Sequence, residues 1–254
     1  MLKKLFIVTV FALSFVFFAS AQTVAELIQQ ADDHAEKEFN NSKALEKLKA
    51  AEAKESNNFE ILWRLSRTYV DLGEHVSGED KQMQQYDQAK VYADKAISAA
   101  PNKSLGYLRR AIVNGRIALF KGVFSVGGVV NQVKKDVEKA IQFGNGGNEV
   151  QASAHYVLGR THSTVSDKPY LVRVPLGLGW GDLDTAIEEL KKAAQLRPNF
   201  RMIRLELAKA YIKDDQYSAA REQLQKISSL PKLDEDDDKV LQEANKLLTE
   251  IKNK

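Results

Sequence analysis

The side chains best suited to chemistry begin with Trp63-Arg64-x-x-Arg67, an indole and two guanidiniums in five residues. Arg64 and Arg67 are three apart, which makes them neighbours on one face of a helix. Two guanidiniums so placed suit bidentate capture of a carboxylate or phosphate. The opposing reading packs Trp63 between helices and pairs the arginines with acids of the next one. His155 and His162 lie roughly 10 Å apart along a helix, too far to share a metal. Neither a His-Glu-x-x-His motif nor any cysteine accompanies them, so they read as structural, and His34 and His75 stand alone. The acidic run from Asp234 to Asp238 lacks the alternating spacing, the glycine and the closing glutamate of a calcium loop, and its place before a last helix predicts capping. Gly122, Gly127 and Gly128 are followed by Val129 and Val130 where a phosphate loop needs Lys-Ser/Thr, and no Gly-x-Ser-x-Gly elbow occurs. These residues point to recognition, without catalysis, metal or other cofactor.

Lys3 and Lys4 precede an apolar run from Leu5 to Phe18 that ends in Ala19-Ser20-Ala21, the layout of a cleaved export signal. The run falls short of the roughly 20 residues that span a bilayer. Residues 1 to 21 are therefore expected to be a signal peptide and residues 22 to 254 a single exported domain, periplasmic or secreted, with no transmembrane segment after cleavage. The leader carries two lysines and no acid, so its removal takes the formal charge from +3 to about +1. Near-neutrality with interspersed signs leaves no footprint for nucleic acid. The absence of cysteine excludes disulfides, catalytic thiols and Cys-ligated metals.

The elements that must position these groups are helices, marked by a pattern that recurs five times. Ala44/Leu48/Ala51, Ala89/Ala93/Ala96, Val133/Val137/Ala140, Ala186/Leu190/Ala193 and Ala220/Leu224/Ile227 each place small or apolar residues at i, i+4 and i+7. Such a stripe needs a closely approaching neighbour to cover it, which is the logic of a helical solenoid. The sequence predicts helix pairs throughout, with a first pair from Val24 and from Ser42 as N-cap, a long helix from Met83 to Ala100, and a last helix from about Asp236. A glycine-rich connector, Gly122 to Gly128, interrupts the third unit, and the stretch Lys168 to Gly181 interrupts the fourth.

Leu158-Gly159, Ala186, Leu190, Ala193 and Pro198, and again Leu207-Ala208, Tyr211, Ala220, Leu224 and Pro231, resemble the tetratricopeptide repeat (TPR). The resemblance implies an all-α, TPR-like α-α superhelix of helix pairs. Only the last pair of stripes shows the regular spacing of 34; the others are 45, 44 and 53 apart, so helices or joints have been lengthened. From Gly159 to Ala186 there are 27 residues where a regular array has about 12, which makes Lys168 to Gly181 an insertion. Taken together, Trp63-Arg64-x-x-Arg67-x-Tyr69, Gly159-Arg160 with Val165-Ser166, and Asp184-x-Ala186-Ile187 through Leu196-x-Pro198-x-Phe200 look like the regulator of microtubule dynamics family over about residues 59 to 248. For the eukaryotic family the resemblance implies a TPR-like domain linked to microtubules and organelle membranes; this chain is expected to be an exported bacterial member, which departs from that family in its cleavable leader and in a Gly-rich apolar insertion around Leu176 to Gly181.

The expected function is a non-enzymatic scaffold that holds a protein or peptide partner on its concave face. The expected contacts are Arg64, Arg67, Tyr107, Arg109, Arg116, His162, Arg173 and Trp180. The alternative is a carrier for a lipid or other amphipathic small molecule, in a groove closed by the insertion 168–181 together with Gly122 to Gly128.

Overall fold

The computed structural model describes residues 22–254; the expected signal peptide lies outside the described residues. Twelve helices and no strand occur among them: α1 Val24–Glu36, α2 Asn41–Glu52, α3 Phe59–His75, α4 Glu79–Ala99, α5 Ser104–Lys121, α6 Gly127–Phe143, α7 Gly147–Val165, the single turn α8 Tyr170–Arg173, α9 Leu183–Leu196, α10 Arg201–Lys213, α11 Tyr217–Ile227 and α12 Asp237–Glu250. No helix among the described residues is long and apolar enough to cross a membrane.

The five recurring stripes fall on α2, α4, α6, α9 and α11, the second helix of each pair, and all fifteen side chains are buried. Their small size lets the first helix come close. At Gly159 on α7 a β-carbon would stand 2.9 Å from the Ala186 carbonyl oxygen and 2.8 Å from Leu190 of α9, so only hydrogen fits there. The first helices pack directly on one another in sequence, α1 on α3, α3 on α5, α5 on α7 and α7 on α10, with α12 completing the row against α10. Among the described residues, second helices make no comparable contact with each other. The row of first helices therefore lies on the inside of the curve and the second helices outside, as in a TPR-like superhelix.

Local chemistry shifts several boundaries. Asn40, rather than Ser42, caps α2 by accepting a hydrogen bond from the Lys43 N–H at 3.1 Å. Helix α4 begins at Glu79, ahead of the expected Met83, because Gly78 turns the chain at φ 100° and Glu79 and Asp80 favour the positive end of the helix dipole. In the acidic run, Asp236 makes no side-chain cap for α12. Asp237 instead accepts from the Leu233 and Asp234 N–H groups at 2.7 and 3.0 Å and so fixes the preceding turn. That turn reaches back to the first pairs, where Glu235 bonds His75 of α3 at 3.0 Å and Asn41 of α2 at 3.3 Å.

Candidate functional site: the polar inner face

The inner row of helices carries a continuous band of alternating charge. On α3, Arg67, Asp71 and Glu74 recur at i, i+4 and i+7 and so share one stripe. Asp32 of α1 receives Arg64 at 2.9 Å and Arg67 at 3.0 Å, while Arg67 also donates to Glu36 at 2.7 Å. Arg116 of α5 pairs with Glu74. Arg160 of α7 approaches Tyr156 at 3.4 Å and Glu206 of α10 at 3.7 Å, and Lys209 bridges Glu206 at 3.1 Å to Glu243 of α12 at 2.8 Å. The band thus crosses every inner helix from α1 to α12.

Two members of the band are left without a direct partner. Arg109 of α5 forms no ion pair or hydrogen bond among the described residues, and its Nε is buried without an acceptor. Its guanidinium lies over the face of Trp63, 5.4 Å from the ring centre, beside Arg64 at 4.1 Å and Arg67 at 5.3 Å from the same indole. Trp63 is fixed by its Nε1–H, which donates to Glu60 at 2.8 Å. Burial, and then the like charge of Arg67, pull Arg109 down to about 10, with Asp71 opposing. Asp71 also lacks a direct partner, and burial pushes its carboxyl up to about 7 against the pull of Arg67 and Arg109. Both groups are surrounded by protein on most sides yet remain partly open to water. A cation held over an aromatic ring, with unused N–H groups on a partly exposed face, is arranged to take a carboxylate or another planar anion.

Of the eight expected contacts, the structure brings Arg64, Arg67, Arg109 and Arg116 together on this face, and places the other four elsewhere. Tyr107 is buried between α5 and α6, its hydroxyl donating to the Pro101 carbonyl at 3.1 Å and its ring 5.6 Å from that of Phe143. His162 is buried against Trp180, ring centres 5.0 Å apart; burial and then Lys134 hold its imidazole below the usual range. Arg173 is buried and donates to the Gly181 carbonyl. Trp180 donates to Asn131 of α6 at 2.7 Å, on a second helix.

The insertion consequently differs from the expected groove cover. It packs with the Val123–Val126 connector, the start of α6 and the end of α7, around a small core of Ala118, Val130, Val165 and Leu178. Two depressions, each about 380 Å³, are open clefts away from the inner face, one between α9, α10 and α11 and one beside Trp180 on α6. Glu74, His75 and Asp236 bring possible metal-ligand atoms within 4.8 Å of one another. Each already has a side-chain partner, Arg116 for Glu74, Glu235 for His75 and Lys239 for Asp236.

Sequence reasoning missed Asp71, Glu74, Tyr156, Arg160, Glu206 and Lys209. A signal was available: on the first helices polar residues recur three, four or seven apart, as in Arg67/Asp71/Glu74, Arg109/Arg116 and Tyr156/Arg160, in the same period as the apolar stripes.

With this geometry in place, the comparisons with known proteins are specific. A family model described as Regulator of microtubule dynamics protein 1-3 matches residues 27–252. Regulator of microtubule dynamics protein 2 of Bos taurus is 24% identical over 232 residues, which make up 89% of this chain and 56% of that protein. Regulator of microtubule dynamics protein 1 of Pongo abelii is 27% identical over 241 residues, 91% of this chain and 74% of that one. The chain thus spans about half the length of the bovine relative. Among solved structures, the thermophilic TPR protein TTC0263 of Thermus thermophilus superposes with a TM-score of 0.62 at 19% identity, covering 87% of this chain and 98% of that one. PilF of Pseudomonas aeruginosa does so with 0.55 at 13% identity, covering 90% and 91%. These two likenesses concern the fold.

Proposed function

The chain belongs to the regulator of microtubule dynamics family, and on that premise we propose that it is a non-enzymatic interaction scaffold whose concave inner face holds a segment of a partner protein. Export of the mature domain belongs to the same reading, supported by the leader at residues 1 to 21; an intact mass beginning at Gln22 checks it, and a mass that includes Met1 contradicts it. The observation that carries the proposal is Arg109, a cation without an ion pair, seated on an indole in a face where the other arginines are paired. An acidic side chain or a terminal carboxylate of an extended or helical segment fits it. The remaining alternating charge sets the register of the segment along the band.

The test is titration of the chain against fluorescent peptides of matched length that are acidic, neutral or basic. Acidic peptides are expected to bind preferentially and to weaken with salt, and Arg109→Met to lose at least about tenfold, the scale of a lost charge-assisted hydrogen bond. Equal binding of all three classes, or full affinity in the Arg109→Met protein, contradicts the proposal.

A further inference from the structure

Eight large apolar side chains are exposed among the described residues, and five of them fall within seven positions: Tyr170, Leu171, Val172, Val174 and Leu176. Leu171 is 83% exposed and Tyr170 60%. They form the tip of the insertion, on α8 and the 3₁₀ turn Val174–Leu176. A concentration of this kind on an otherwise charged surface marks a contact site.

The tip is held from behind. Arg173, between the exposed residues, turns inward to the Gly181 carbonyl, and the Leu178 N–H donates to the Arg173 carbonyl at 3.0 Å. Leu178 is fully buried, and Trp180 is tied to Asn131. The backbone of the insertion presses on the start of α6 so closely that a β-carbon on Gly127 would lie 2.7 Å from the Leu176 carbonyl oxygen. The apolar side chains are thus presented outward on a braced turn.

The insertion itself carries basic side chains only, Lys168 and Arg173. No acid occurs from Lys168 to Gly181. Lys168 precedes the tip, Lys121 precedes the connector packed beneath it, and Lys135 lies beside Trp180; all three are exposed and none is in an ion pair. Acids flank this set: Asp167 pairs with Lys213 at 2.6 Å and Glu138 with Lys134, Asp182 caps α9 by accepting from the Thr185 N–H at 2.8 Å, and Asp184 is exposed on the first turn of α9.

We propose that the Tyr170–Leu176 tip, with Lys121, Lys135 and Lys168, is a contact surface for an anionic lipid bilayer. Apolar side chains that project from a turn enter the acyl boundary of a bilayer without a preformed groove, with the tyrosine at headgroup level and the lysines against anionic headgroups. The surface is separate from the polar inner face, so a scaffold engaged on the bilayer keeps that face free for its partner.

The chain has no cysteine, so Val172→Cys creates a single position for an environment-sensitive fluorophore. Val91→Cys, on the exposed side of α4, serves as control. The labelled chain, purified from its host without detergent, is mixed with vesicles of phosphatidylcholine alone or with phosphatidylglycerol. The expected result is a blue shift at position 172 and none at 91, on phosphatidylglycerol vesicles only, reversed by salt. Each of Lys121→Gln and Lys168→Gln is expected to weaken binding about fivefold, and Leu171→Ser with Val172→Ser, in the chain labelled at position 174 through Val174→Cys, to abolish the shift. No shift at 172, a shift equal on neutral vesicles, or a concentration-dependent shift without vesicles, which would assign the tip to a second copy of the chain, overturns the proposal.

Discussion

Asp71 and Arg109 occupy the same stretch of the inner face without an ion pair among the described residues, and burial disfavours the charged form of each. For Asp71 the sign is definite. Its folded carboxyl is raised from 3.8 to about 7, so the folded state binds a proton that the unfolded state releases. The stability contributed by the protonated form is complete below about pH 4 and is lost as pH rises through 7. Asp71→Asn is therefore expected to raise the melting temperature at pH 8 and to change it much less at pH 4, read by circular dichroism. An equal change at both pH values contradicts the assignment. Arg109 is disfavoured as a cation by its surroundings, burial first and then the like charge of Arg67, so an anion that binds there relieves part of that cost. Asp71 was not legible in the sequence, and Arg109 was legible only as a candidate contact, because an arginine or aspartate on a helix is ordinary until its neighbours across the curve are known. Trp63-Arg64-x-x-Arg67 was legible as a constellation, and the pairing of both its arginines depended on Asp32 and Glu36 from a different helix.

At the scale of elements, the covered stripes and the uncovered tip make opposite demands. Leu190 is fully buried on α9 against Gly159, whereas Leu171 touches mostly solvent. Leu190→Ala is expected to cost about 2–5 kcal/mol through lost burial and the cavity left behind, and Leu171→Ala to stay within about 0.5 kcal/mol. Denaturant unfolding of both variants checks this, and comparable losses would mean that the tip is part of the core. The stripes were legible because period and residue size together specify a close helix contact. The insertion was located correctly by the excess spacing between Gly159 and Ala186, yet its orientation was not legible. A run such as Tyr170-Leu171-Val172-Arg173-Val174 has no period that selects a face. Here the inward residue is the arginine, drawn to the Gly181 carbonyl, and the outward ones are apolar.

At the scale of the whole molecule, direct packing between successive first helices bends the chain so that α1, α3, α5, α7, α10 and α12 form one inner surface. Glu235 then ties the turn before α12 back to α2 and α3, a contact spanning 194 residues for Asn41 that no local pattern announces. The fold class was legible because each pair repeats the same local rule. The polar band was not, because it arises only when five such rules are placed side by side. The central claim is that this band, and not the outer helices, receives a partner protein. It is tested most directly by photo-crosslinking in cells of the host, with a benzophenone side chain at Ser153, on the same stripe of α7 as Tyr156 and Arg160, or at Val91 on α4. The expected result is a discrete adduct from Ser153 that disappears in Arg109→Met, with none from Val91; adducts from Val91 alone, or a Ser153 adduct indifferent to Arg109, would overturn this assignment.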